Sequence, residues 1–231
     1  MPKTLNILSG GAAQGLVSRL QAAFEQQHDC RLQGSFGAVG AMRDKLLGGA
    51  PCDLLILTQA LVDELGRQGR ADAASARPLG RVKTGVALKQ QHAPVSVQTP
   101  QQLQALLAAA PEIYFPDPAK ATAGIHFMKV LQALGLAQDT SRHRTYPNGA
   151  AAMAALAQST QAEAVGCTQV TEILNTPGVQ VTGVLPAPHE LVTTYTAVVA
   201  SGAQEPELAA ALIATLTSAD AADLRARCGF D

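Results

Sequence analysis

The chain has 231 residues, enough for one large domain or two small ones with cores of their own. Charged residues make up 15%, the formal net charge is −1, aromatics are 3% and Trp is absent. No basic stripe or aromatic-basic interleaving exists, so nucleic acid is not an expected partner. The core has to be built from Ala, Leu and Val.

In chain order, Leu5–Leu8 reads as a strand and Ala13–Gln27 as an amphipathic helix with Leu16, Leu20 and Phe24 on one stripe. Arg31–Ser35 is a strand, and Ala38–Gly48 is a short helix ended by Gly48-Gly49. CDLLIL, after Pro51, is a continuous apolar run, as in a buried parallel strand, and Gln59–Gln68 is a helix. This βαβαβα order predicts a parallel sheet covered by helices. RVKTGVALK has a strand pattern. Thr99, Pro100 and Gln102 form a capping box with Pro at the first helical position. EIYF is a strand stopped by Pro116-Asp117-Pro118, Thr122–Leu134 is a helix, NGAAAMAALAQS another helix, and AEAVGC another strand. TTYTAVVA (strand) and PELAAALIATLTS (helix) follow, and a last short helix begins near Ser218. The layout predicts two α/β lobes of mostly parallel sheet flanked by helices, hinged by two crossing strands. Lobe 1 is 1–82 plus 192–231 and lobe 2 is 83–191. The crossings fall near Lys83–Val86 and Glu190–Tyr195.

No apolar stretch reaches the roughly 20 residues that span a bilayer, so membrane insertion is not expected. MPKTLNILSGG lacks the apolar region and cleavage site of a secretory signal. As it stands the chain reads as cytoplasmic, and as periplasmic if a signal has been removed. Cys30, Cys52, Cys167 and Cys228 form no C-x-x-C pair and no His stands at finger spacing, so no metal or cofactor is expected. Cys52 and Cys167 read as buried small hydrophobes.

The chemistry lies in a recurrence. Four strands end in small-residue turns that start helices: Ser9-Gly10-Gly11-Ala12, Ser35 through Ala38-Val39-Gly40, Asp117 through Thr122-Ala123-Gly124, and Pro147-Asn148-Gly149-Ala150. Ligands of open α/β sheets bind outside the carboxyl ends of strands, and helix starts there offer N–H groups and a positive dipole end to an anion.

LNILSGGAAQGL, SFGAVGAMRDKLLGGAPCDLLIL, PDPAKATAGIHFMKVL and NGAAAMAALAQSTQAEAVGCTQVTE together resemble the molybdate-binding-protein branch of the type 2 periplasmic solute-binding family. The resemblance covers nearly the whole chain. It implies two hinged α/β lobes, a small anion in the cleft between them, and an ABC-transporter membrane component as partner. It also implies hydroxyls that this chain lacks. Ala12 stands where the family has Ser, Val39-Gly40 where it has another Ser, and Gln169 where a Tyr often stands. These departures point from molybdate toward an organic carboxylate, held by backbone N–H groups of Gly11, Ala12, Val39, Gly40, Ala123 and Gly149.

Polar candidates surround those turns. Arg43 can reach a carboxylate bidentately or simply pair with Asp44. His126, near a helix start, is expected to be neutral and usable as a base, or else to serve packing. Thr168, Gln169, Thr171 and Glu172 cluster after an apolar strand; Thr168 and Gln169 suit ligand contact, and Glu172 alternatively begins a helix. Tyr195 either points at the cleft or belongs to the core. Asn148 caps a helix or donates to ligand. Two functions remain open. One is anion binding. The other is a cofactor-free isomerase resembling the aconitate isomerases, which moves a proton on an unsaturated tricarboxylate with His126, Glu172 or Tyr195 as the catalytic group.

Overall fold

The computed structural model describes residues 2–93 and 95–231. It divides into two compact units, one of residues 1–82 and 193–231, the other Lys83–Val192. The first begins with β1 (Lys3–Gly10), a 3-10 turn (Gly11–Ala13) and α1 (Gln14–His28). Then come β2 (Cys30–Gly37), α2 (Val39–Leu47), β3 (Leu54–Thr58), α3 (Gln59–Arg67) and the long β4 (Arg77–Lys89), in which the chain passes into the second unit. That unit contains α4 (Pro100–Ala109), β5 (Ile113–Pro116), α5 (Thr122–Ala133), β6 (His143–Tyr146), α6 (Gly149–Gln158), β7 (Val165–Gln169), α7 (Val170–Leu174) and β8 (Val179–Val184). The chain returns along β9 (Val192–Val199) to α8 (Pro206–Thr217) and α9 (Ala222–Arg227).

In the first unit the strand order is β2-β1-β3-β9. β1 runs parallel to both β2 and β3, and β9 runs antiparallel to β3. Every residue of β3 is buried, because helices cover both faces and leave no side for polar alternation. Leu16 and Phe24 of α1, Met42 of α2, Leu65 of α3 and Leu212 and Leu216 of α8 pack into this core.

The second unit orders its strands β4-β7-β5-β6, with β8 on β4. β5 is parallel to β6 and β7, whereas β4 is antiparallel to β7 and β8. Side chains alternate between the two faces of this sheet. Val86, Leu88, Ile113 and Phe115 enter one core with Leu103 and Phe127, and Ala87 and Tyr114 enter another with Met153 and Leu156. Fold class is thus as the sequence led us to expect, with three parallel strands in each unit and the antiparallel strands on one side of them. Two elements were not anticipated: β6 is short and never fully buried, and β8 mixes Gly and Thr into its apolar pattern. α7, of five residues, has Glu172 in its first turn, the helix-start alternative offered for that residue.

The predicted capping box at α4 is formed: Thr99 accepts from the Gln102 N–H, and the Gln102 side chain accepts from the Thr99 N–H. Arg142 donates to the carbonyls of Leu107, Ala108 and Ala110 at the other end of α4, where the helix dipole is negative.

One buried carboxylate ties the late segment into the first unit. Asp53, 1% exposed, accepts from the Asn6 N–H at 2.7 Å and the Asn6 side chain at 3.1 Å. Its other oxygen accepts from the N–H groups of Gln204 at 2.6 Å and Glu205 at 3.1 Å, just before α8. The Asp53 side chain therefore joins residues distant in sequence and holds the two residues that lead into α8. Asp53→Ala would leave all four donors without that acceptor and is expected to cost about 2–4 kcal/mol in urea unfolding, with Asp53→Asn milder because one oxygen remains. Equal stability of wild type and Asp53→Ala would overturn this role.

Candidate functional site

Helix starts carry the candidate chemistry, because the first N–H groups of a helix have no acceptor within it. The starts differ in what the chain places at them; those of α7, α8 and α9 have no capping side chain but carry an acid in the first turn. At the Gly11–Ala13 turn, α2, α3 and α5, no side chain caps the start and no acid lies in the first turn. At α4 and α6 a side chain does cap.

In the first unit, three predicted residues meet. Gly10 is so tightly enclosed that an added Cβ would lie 2.8 Å from Val39 Cγ1 and 2.9 Å from Tyr195 Cε1. The glycine therefore lets the β1 turn, the α2 start and β9 approach one another. Gly11 and Ala12 form the 3-10 turn, Ala38 is the N-cap of α2 in an extended conformation, and Val39 and Gly40 open the helix. Ser9 is fully buried and its hydroxyl donates to the Gly10 carbonyl at 2.9 Å. Tyr195 is 3% exposed and packs edge-on against Phe230. Arg43 donates to Asp44 at 3.0 Å on the helix surface, the simpler of its two expected roles. Thr58 is the residue that sequence reading passed over. It is buried, ends β3, precedes α3 and sits opposite Tyr195 in the ladder. Its signal was present, a Thr between an apolar strand and a helix.

In the second unit, α5 opens at Thr122, Ala123 and Gly124. A Cβ on Gly124 would overlap the carbonyl oxygens of Pro116 and Asp117, so glycine is required for α5 to sit against the β5 turn. His126, one turn in, places Nε2 2.8 Å from the His189 carbonyl. A carbonyl only accepts, so Nε2 is the nitrogen that donates in this contact.

The α6 start is differently built. Asn148 caps it, accepting from the Ala151 N–H at 2.8 Å. Glu172, 7% exposed, brings its carboxyl to the N–H groups of Gly149, Ala150 and Gln169, and the Thr168 hydroxyl donates to it at 2.5 Å. The Gly149 N–H, expected to serve a ligand, is thus engaged by the protein itself. Thr168 likewise turns to Glu172. Gln169 is buried at the end of β7, opposite Thr84, whose side chain shares that face of the ladder. Thr84 and Thr171 are also buried, and their hydroxyls have no hydrogen-bond partner among the described residues.

All four cysteines are buried. Burial pushes the Cys52 thiol up to about 12 and Cys167 well above the ordinary range, so both are neutral packing groups. Among the described residues no cluster of three or more His, Cys, Asp or Glu is placed to hold a metal ion. No helix among them is long and apolar enough to cross a membrane.

Burial, the largest influence on Glu172, holds its carboxyl above the ordinary 4.5, against the opposing pull of its donors. The folded state thus keeps this proton to higher pH than the unfolded chain. The group's stabilisation is fully present below the unfolded value and declines as pH rises through the folded one. Urea unfolding across pH should show wild type losing ground to Glu172→Gln as pH rises from about 4.5. A margin growing in favour of wild type over that range would contradict the assignment.

Comparison with known proteins follows this geometry. The profile of the family described as "Bacterial extracellular solute-binding protein" matches residues 5–231. An aconitate isomerase from a Pseudomonas species is 23% identical over 224 residues, 95% of this chain and 84% of that protein. The periplasmic molybdate-binding protein of Azotobacter vinelandii superposes with a TM-score of 0.81 at 19% identity, covering 98% of each chain. The substrate-binding domain of a putative molybdenum ABC transporter from Clostridium difficile gives 0.67 at 17% identity, over 99% of this chain and 98% of that one. At these identities the likeness to the solved structures is one of fold.

Proposed function

The chain belongs to the bacterial extracellular solute-binding protein family, and from that premise we propose that it captures a small organic carboxylate on the helix starts its own side chains leave open. One observation carries the reading. The Gly11–Ala13 turn, α2 and α5 present their first N–H groups with no capping side chain and no acid in the first turn. Such starts favour negative charge by dipole and hydrogen bond together. Ala12, Val39 and Gly40 bring no hydroxyl to their turns. Backbone donors in small number suit a planar carboxylate better than a tetrahedral oxyanion, which offers more oxygens to satisfy. The 23% identity to an aconitate isomerase supports the same ligand class. Acting in the periplasm and delivering to an ABC-transporter membrane component fits the family.

Proline tests the backbone donors directly. Thr122 is the first residue of α5, and Ala121 before it is extended at ψ 126°, as a residue preceding proline must be. Thr122→Pro therefore removes one N–H while leaving the helix intact. In a thermal-shift screen of citrate, cis- and trans-aconitate, molybdate and sulfate, a tricarboxylate well above its Kd should raise the Tm of wild type by roughly 5 °C or more. Thr122→Pro should bind the same tricarboxylate about tenfold more weakly, one charge-assisted hydrogen bond being worth about 1.5 kcal/mol. Stabilisation by molybdate with none from tricarboxylates would end the carboxylate assignment.

A second reading, isomerisation of an unsaturated tricarboxylate by proton shift, is favoured by His126. The Nε2–H bond to His189 fixes the ring and leaves Nδ1 able to take a proton. Glu172 already accepts from four donors, and Tyr195 is buried, so neither is as well placed to be the base. Incubating the protein with trans-aconitate and following the cis isomer by NMR decides the matter. Turnover that disappears in His126→Ala supports the base assignment, and turnover unchanged in that variant removes it.

A further inference from the structure

We propose that the Thr84 hydroxyl is a ligand contact, set beside the open start of α5 so that the two hold one carboxylate group of the solute between them. This rests on the reading that open helix starts take the ligand, and it adds a side chain to a subsite otherwise made of backbone. Every group involved lies in the second unit. Thr84 is 1% exposed, and its Oγ1 has no hydrogen-bond partner among the described residues. Protein interiors rarely keep a hydroxyl in that condition unless a ligand, ion or water completes it.

The face on which the hydroxyl stands is fixed by its neighbours. A Cβ on Gly85 would meet Val170 and Ile173 on the α7 side, so Thr84, one residue earlier in the strand, points to the opposite face. That face carries Val86 and Leu88 of β4 and Val165 and Cys167 of β7 into one core with Phe127, Val130 and Leu131 of α5. The end of the sheet is fixed by topology. α5 follows β5, and β5 runs parallel to β7, so α5 starts at the end where both strands finish. Thr84 pairs with Gln169, the last residue of β7. One loop then ties Thr84 to α5. The Thr84 N–H donates to the Leu191 carbonyl and the Thr84 carbonyl accepts from the Leu185 N–H, both at 3.0 Å. Between those residues, the His189 carbonyl holds the His126 ring of α5. The helix start itself faces inward: Ala121, Ala123 and Gly124 are buried, and no side chain caps them. In this arrangement one carboxylate oxygen takes the α5 N–H groups and the other takes the Thr84 proton.

Thr84→Val keeps the side-chain shape and deletes the hydroxyl. Because the free protein leaves that hydroxyl unmet, the variant's Tm without ligand should equal or exceed that of wild type. In calorimetric titrations with citrate and with trans-aconitate, Thr84→Val should bind about tenfold more weakly than wild type to whichever tricarboxylate wild type takes. Thr84→Ser, which retains a hydroxyl, should stay within about threefold of wild type. If Thr84→Val does not fold, Thr84→Ala is titrated in its place with the same expectation. Equal affinity in wild type and Thr84→Val overturns the proposal and leaves a water as the hydroxyl's partner. A loss in Thr84→Ser as large as that in Thr84→Val overturns it too, since the hydroxyl would not then be what matters. Failure of the parent reading looks different: neither tricarboxylate binds wild type, which removes both.

Discussion

Every α-helix begins with N–H groups that its own hydrogen bonds cannot satisfy, and this chain is organised by where those groups find acceptors. Thr99 and Gln102 close α4, Asn148 and Glu172 close α6, and the Asp53 carboxylate accepts from the N–H groups of Gln204 and Glu205 just before α8. The starts at Gly11, Val39, Gln59 and Thr122 are left without a capping side chain. The first group is architecture. The second is where we propose that the ligand is held. The same physical need, an acceptor for an unpaired donor, therefore produces both stability and binding capacity, depending on whether the chain supplies the acceptor itself.

Asp53 shows how the architectural half works over long range. The first unit is assembled from two stretches separated by the whole of the second. A sheet alone joins them through β9, but β9 leaves the direction of the following chain undetermined. The carboxylate fixes it by holding β1 and the approach to α8 with opposite oxygens. The C-terminal residue adds a reciprocal pair of backbone bonds with Arg81, which closes the unit along β4. Buried polar groups carry this much weight because an unmet donor in the interior costs more than a met one gains.

Glycines set the site by absence. At Gly10, Gly124 and Gly149 a side chain would strike, respectively, Val39 and Tyr195, two carbonyl oxygens, and the Glu172 carboxyl. Each therefore permits a close approach of one element to another. The sequence marked all three as turn residues but said nothing of what lay opposite. Elements were legible where local signals were strong: the continuous apolar β3, the capping box of α4, and the small-residue turns ahead of α2 and α5. β6 and β8 were not, since a short edge strand and a strand with Gly and Thr carry little periodicity, and α7 showed only as an alternative reading of Glu172. Thr84 was equally silent, because a buried hydroxyl looks in sequence like any β-branched residue.

The amino-acid sequence by itself determined the alternation of strands and helices, the scarcity of charge and aromatics that forces an aliphatic core, and the small-residue turns that open several helices. Those are local properties, read from the identity and spacing of neighbours. Only the tertiary structure decided which turns remain available. Gly149 and Gly124 stand in similar sequence settings, yet one meets a carboxyl from α7 and the other meets the backbone of its own turn. That difference depends on a residue 23 positions further along being folded back onto a helix start. No local pattern encodes such a meeting, because it is settled by how the strands carry their helices into contact.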